Sequence, residues 1–160
     1  MKLLIGLLFF CLIIYSHAKE LITTSYAKAE EEKYELGNGT VHTNLKTSGL
    51  WTDNFGNYGN WSTIVNAEIE NNMLKYHAFS LKYSYQDGST VFAKGNRTNE
   101  ELEQGIGKAK YISAPKKLSP LIGTVCNYGV TFLKETAFVI FKCDITPEAK
   151  KLLTSIKKIK

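Results

Sequence analysis

The feature that most limits what this chain can fold into is a strict two-residue alternation ending at Tyr85. Within Leu74 to Tyr85, Phe79, Leu81, Tyr83 and Tyr85 share one face of an extended segment, and Ser80, Lys82 and Ser84 share the other. That is the period of a strand buried on one side. The run before it repeats the pattern: across Thr63 to Glu70, Val65, Ala67 and Ile69 fall on one side and Asn66, Glu68 and Glu70 on the other. Asn71-Asn72 supplies a turn between the two runs. Asp87-Gly88-Ser89 turns the chain again into Thr90 to Lys94, so three antiparallel strands follow in sequence. Thr40 to Lys46, Gly49 to Asp53, Lys108 to Ser113, Ile122 to Leu133 and Thr136 to Asp144 are further candidates. About eight strands predict an all-β domain over residues 36–146, either an eight-stranded antiparallel barrel or a β-sandwich.

The segments flanking this domain differ from it. Met1-Lys2, an apolar run from Leu3 to Tyr15, and Ser16-His17-Ala18 have the three regions of a secretory signal. A signal peptide over residues 1–18, cleaved after Ala18, predicts a secreted, extracellular protein; the apolar run is shorter than the roughly 20 residues that span a bilayer. Residues 19–35, with the acidic run Glu30-Glu31-Glu32, read as a polar N-terminal arm, a short helix or a flexible segment. At the other end, Thr146-Pro147-Glu148 gives an N-cap, a first-position proline and a first-turn acid. Ala149, Leu152, Leu153, Ile156 and Ile159 then recur at helical spacing among lysines, predicting a basic amphipathic C-terminal helix over residues 147–160. Its apolar stripe either packs on the barrel or seeks a membrane surface.

Charge narrows the partners. The leader takes one lysine, so 20 basic residues become 19 against 15 acids, a net of +4. Five lysines and Glu148 in residues 147–160 account for all of it. The body is formally neutral and holds a single arginine, Arg97, which argues against nucleic-acid binding.

With Cys11 lost in the leader, Cys126 and Cys143 remain, and an even pair in an oxidising compartment predicts a disulfide. Two thiols without nearby histidines do not form a metal site, and no metal or cofactor is expected. If the last two strands form a hairpin turning at Lys134-Glu135, Leu133 faces Thr136 and each cysteine lies seven residues out from that pair. The two are then directly opposite, at a non-hydrogen-bonded position with Cα atoms roughly 4.5 Å apart. The same register sets Tyr128 against Phe141, Val130 against Val139 and Phe132 against Ala137. Three sequons, at Asn38, Asn60 and Asn96, fit glycosylation of a secreted chain. Asn96 lies in the most polar surroundings, and the bulky Trp61 makes Asn60 the weakest of the three.

The stretch from Gly49 to Trp61 carries two tryptophans ten residues apart among glycines and asparagines. Either Trp51, Phe55, Tyr58 and Trp61 form a binding rim for a flat ligand, or Trp51 and Phe55 plug one barrel end. The element Trp51-Thr52-Asp53-Asn54-Phe55-Gly56-Asn57-Tyr58-Gly59 resembles a Trp-Thr-Asp-Asn-x-Gly-x-Tyr-Gly pattern of small secreted arthropod proteins. Gly107 to Tyr111 with Leu121 to Cys126 resembles, more faintly, the glycine-punctuated strands of allene oxide cyclase and dirigent-type barrels. These resemblances imply a barrel and carry no catalytic residue set.

No nucleophile, zinc or phosphate-loop motif occurs, so no catalytic residue is assigned. The reading that follows is a secreted, non-enzymatic glycoprotein whose barrel binds a small apolar ligand or an extracellular protein. A second reading is a venom, salivary or defence effector acting at membranes through 147–160. A third is a hydrolase or isomerase using His77, with Glu68 as a candidate carboxylate partner.

Overall fold

The computed structural model describes residues 20–156, so the signal segment expected over 1–18 and the last four positions of the expected helix lie outside the described residues. Eight strands form one closed antiparallel barrel in sequence order: β1 (Glu20–Glu35), β2 (Thr40–Asp53), β3 (Tyr58–Glu70), β4 (Met73–Tyr85), β5 (Thr90–Arg97), β6 (Gln104–Ser113), β7 (Val125–Leu133) and β8 (Thr136–Asp144). β8 returns to pair with β1 over Glu20 to Lys28, which closes the sheet. The all-β barrel reading therefore holds, and the sandwich alternative does not.

Strands β3, β5 and β6 are longer than expected and β7 starts later, at Val125, and two further differences change the strand plan. Residues 19–35 are no polar arm: Glu20–Glu35 is a barrel strand, pairing with β8 from Glu20 to Lys28 and with β2 from Thr23 to Glu35. Its inward residues include Thr23, Ser25 and Ala27, all buried but small or polar, so the segment lacks the apolar alternation that marks β4. Thr40 to Lys46 and Gly49 to Asp53 are one strand, β2, unbroken through Thr47 and Ser48. One strand replaces two and a new one appears, which keeps the count at eight.

The turns follow the residues that make them. Asn71 and Asn72 sit at φ 51° and 60°, left-handed positions that asparagine tolerates best after glycine. β7 and β8 pair in the expected register, with Leu133 opposite Thr136, Val130 opposite Val139 and Tyr128 opposite Phe141. Cys126 and Cys143 are bonded with their Cα atoms 4.1 Å apart and both side chains buried.

Alternating chain direction gathers the turns after β1, β3, β5 and β7 at one end. The other end receives the connections after β2, β4 and β6 together with the C-terminal helix. That second end is shut. A 3₁₀ helix, Lys116–Leu121, and α1 (Pro147–Ser155) bury Leu118, Leu121, Ile145, Ala149 and Leu153 beneath it. Thr146 caps α1 as expected, its hydroxyl accepting from the Ala149 N–H at 3.1 Å. Among the described residues the apolar stripe is occupied within the fold, Ala149 and Leu153 buried and Leu152 half-buried, and the helix expected over 147–160 ends at Ser155, with the half-buried Ile156 extended at its C-cap.

The tryptophans explain the glycines near them. Trp51 pairs with Gly59 and Trp61 with Gly49 across β2 and β3. The Trp51 indole crosses Gly59, its Nε1 donating to Asn60 O at 3.0 Å and Ser84 O at 3.3 Å. The Trp61 Nε1 donates to Tyr26 O on the other side at 3.2 Å. A Cβ on either glycine would run into the backbone of the neighbouring strand, at Tyr26 or Ser84, so glycine is required at both positions by close approach.

Candidate functional site

At the shut end the polar groups around Asp53 are satisfied, while next to Trp51 the Ser25 and Tyr83 hydroxyls are buried without partners. Asp53 is buried, and its carboxylate accepts from the Phe55 and Asn57 N–H groups and from Asn57 Nδ2, each at 2.9 Å. Asn57 Nδ2 also donates to Leu153 O at 3.1 Å, and Gln86 donates to Asn57 Oδ1 at 3.0 Å. Burial raises the Asp53 pKa, opposed by these hydrogen bonds. The network ties the β2–β3 turn to α1. Trp51 stacks edge-on against Tyr83 and Tyr85 above it. Of the four aromatic side chains read as a rim or plug, Trp51 and Trp61 are buried inside the barrel, Phe55 packs half-buried on the core, and Tyr58 alone is exposed, at 41%. Together they do not form an open rim, and the plug reading describes Trp51 and Phe55.

The opposite end is open. A cavity of about 690 Å³ lies inside the mouth, within the size range of small-molecule sites. Leu45, Val65, Ile69, Leu74, Leu102 and Phe132 supply its apolar wall. The mouth carries Lys28, Lys33 and Lys134 against Glu30, Glu31, Glu103 and Glu135, with Lys33 paired to Glu31 at 2.9 Å. Below the chamber the bore narrows to about 50 Å³ between Phe79, Tyr128, Val139 and Phe141. Leu45, Val65, His77, Arg97 and Phe132 line both spaces, and His77 and Arg97 are the polar side chains at this floor, where the chamber meets the bore.

Three inward glycines build that floor. A Cβ on Gly95 would lie 2.5 Å from the Phe79 ring, and one on Gly107 would lie 2.6 Å from the Tyr128 ring. A Cβ on Gly105 would collide with the Arg97 guanidinium. The missing side chains of β5 and β6 are thus the seats of three large side chains.

Arg97 reaches inward over the Phe132 ring, 5.9 Å from its centroid. Its Nη1 donates to Glu101 O at 2.5 Å and Leu102 O at 3.3 Å, while its buried Nε has no partner. His77 Nδ1 accepts from the Arg97 backbone N–H at 3.3 Å, and burial together with the Arg97 charge pulls the imidazole down to about 4. His77 is therefore neutral at physiological pH. The expected partner Glu68 is on the outer face of β3, 4.0 Å from His42, and among the described residues no carboxylate pairs with His77. Tyr128, 6% exposed beside Arg97, has a buried hydroxyl with no well-formed hydrogen bond, and burial pushes its pKa up to about 12 against the charge and polar contact of the Arg97 guanidinium. Thr43 on the chamber wall also buries an unpartnered hydroxyl.

Asn38, Asn60 and Asn96 all project to the exterior, Asn38 from the β1–β2 turn and the other two from the outer faces of β3 and β5. Trp61 points into the barrel, so it does not crowd the Asn60 side chain from outside. Sequence reasoning did not place Arg97 in a site, because the expected strand stopped at Lys94. Its signal was the two-residue spacing from Val91 through Ala93 and Gly95, which aims it at the interior.

The fold and cavity define a structural class, an up-and-down β-barrel shut at one end and hollow at the other. Comparison with protein-family models, curated proteins and solved structures finds no match.

Proposed function

We propose that this is a secreted, non-enzymatic glycoprotein that holds a small, largely apolar ligand in the open end of its barrel. The observation that carries the reading is the contrast within the bore. The chamber of about 690 Å³ is walled by aliphatic side chains and lined by Thr43 and Arg97, each with a buried polar atom that has no partner, whereas the rest of the interior, where Ser25 and Tyr83 also bury unpartnered hydroxyls, is filled. Native proteins pair nearly all such groups, and orphans lining a cavity are the places where a ligand or water completes the bonding. The exposed sequon side chains and the buried disulfide support an extracellular setting. Native mass spectrometry of protein purified from its own source tests the proposal. Co-purification of one small molecule at unit stoichiometry supports it, and protein that is free of ligand and fails to bind apolar fluorescent dyes refutes it.

A further inference from the structure

Resting on that cavity reading, we propose that the ligand is an amphiphile with a carboxylate head, bound head inward so that the carboxylate meets the Arg97 guanidinium where the chamber joins the bore lined by Tyr128, while its chain lies on Leu45, Val65 and Leu74. The first argument is charge. Arg97 remains a cation at any physiological pH, and among the described residues no carboxylate pairs with it. A cation held partly out of water with only carbonyl partners is unfavourable until an anion meets it. The second argument is direction. The guanidinium spends Nη1 on Glu101 O and Leu102 O, which leaves Nε as the buried, unpartnered donor. Tyr128, protonated at neutral pH, offers a second donor beside it.

The third argument is polarity along the chamber. At the mouth three lysines face four glutamates, so the rim does not attract an anion over a cation. The floor has one unpaired cation and a neutral histidine. The wall between them is aliphatic, and the bore of about 50 Å³ below the floor is too small for a chain to pass. An anionic head therefore goes in first and the apolar body fills the chamber above it.

The experiment is isothermal titration of dodecanoate and dodecanol, both below their aggregation limits at pH 7.4, into the full secreted chain and into Arg97→Gln and Tyr128→Phe. Wild type is expected to bind dodecanoate at least about tenfold more tightly than dodecanol, the scale of a charge-assisted hydrogen bond. Arg97→Gln should abolish that preference by weakening dodecanoate alone, and Tyr128→Phe should reduce it about threefold. The wild-type preference is decisive even where a variant fails to fold. Equal binding of acid and alcohol overturns the inference and leaves the cavity proposal standing. Binding of neither by folded protein overturns both.

Discussion

The two ends of the barrel are built by the same eight strands and differ in what happens to their polar groups. At the shut end Asp53, Asn57, Trp51 and Gln86 each find partners, and two short helices cover them. At the open end Arg97 Nε and the Thr43 hydroxyl are buried without partners on residues that line an unfilled chamber, and the Tyr128 hydroxyl in the bore below it, whereas the orphaned Ser25 and Tyr83 hydroxyls of the closed half sit in packed core with no chamber beside them. Closed networks specify a unique packed structure, and groups left unpaired lower stability where they lie. The difference teaches that stability is concentrated at one end and recognition capacity at the other.

The largest test of that division removes Trp51. Trp51→Ala deletes a buried indole, two hydrogen bonds and two aromatic contacts, and should cost about 3 to 5 kcal/mol in urea unfolding. Phe132→Ala, at the half-buried wall of the open chamber, should cost only about 1 kcal/mol because it opens no sealed void. Equal costs would erase the distinction between the ends.

The disulfide comes next. Replacing both Cys126 and Cys143 by alanine releases a cross-link between positions 17 apart and should cost about 3 kcal/mol. Its partners lie along β7 and β8 in the body of the wall, so ligand uptake at the mouth should survive under conditions where the variant stays folded.

Acid separates the ends by pH window. His77 at the open end titrates near 4 when folded and near 6.5 when unfolded, so the unfolded chain binds the extra proton between those values. Its contribution is fully present above pH 6.5 and lost as pH falls toward 4. Asp87 at the shut end behaves differently. Burial works against its charge, but the bonds from Lys117 at 2.6 Å and from Ser89 outweigh that and hold the carboxyl at about 2. Its contribution is present above the ordinary value of 3.8 and lost between there and 2. Urea midpoints measured against pH should lose the upper slope in His77→Gln and the lower one in Asp87→Asn. An upper slope that persists in His77→Gln would show that another group carries it.

Legibility in the sequence follows the same division. The β7–β8 register was readable because a two-residue turn and two cysteines over-determine it, and the β3–β4 turn because Asn71-Asn72 has the chemistry of left-handed positions. β1 was not, since a strand whose inward residues after Leu21 are Thr23, Ser25 and Ala27, and whose far half pairs only with β2, carries no sustained apolar period. Gly59 read as loop punctuation although it is a strand residue required by the close approach of the Ser84 backbone and the Trp51 indole, and Gly95, pressed by Lys108 O and the Phe79 ring, hid the continuation of β5 to Arg97 in the same way. A glycine demanded by a neighbour's side chain is indistinguishable, in one sequence, from a glycine demanded by a turn.

The smallest effect is expected at the turn that bounds the open mouth. Lys134 sits at φ 54°, the left-handed region, where a Cβ costs roughly 1 to 2 kcal/mol. Nothing repays that cost locally, since Lys134 is exposed and Leu133 beside it is 75% exposed. Lys134→Gly removes the steric term but loosens the unfolded chain by about 0.5 to 1 kcal/mol, so the net gain should be about 0.5 kcal/mol. Lys134→Asn, which tolerates the same backbone without glycine's entropy, should gain about as much. Neither touches the floor of the chamber, so both variants should raise the urea midpoint slightly and bind dodecanoate as wild type does. A change in dodecanoate affinity of more than about twofold, beyond what loss of one rim charge at high dielectric should produce, would mean that the mouth and not the floor selects the ligand.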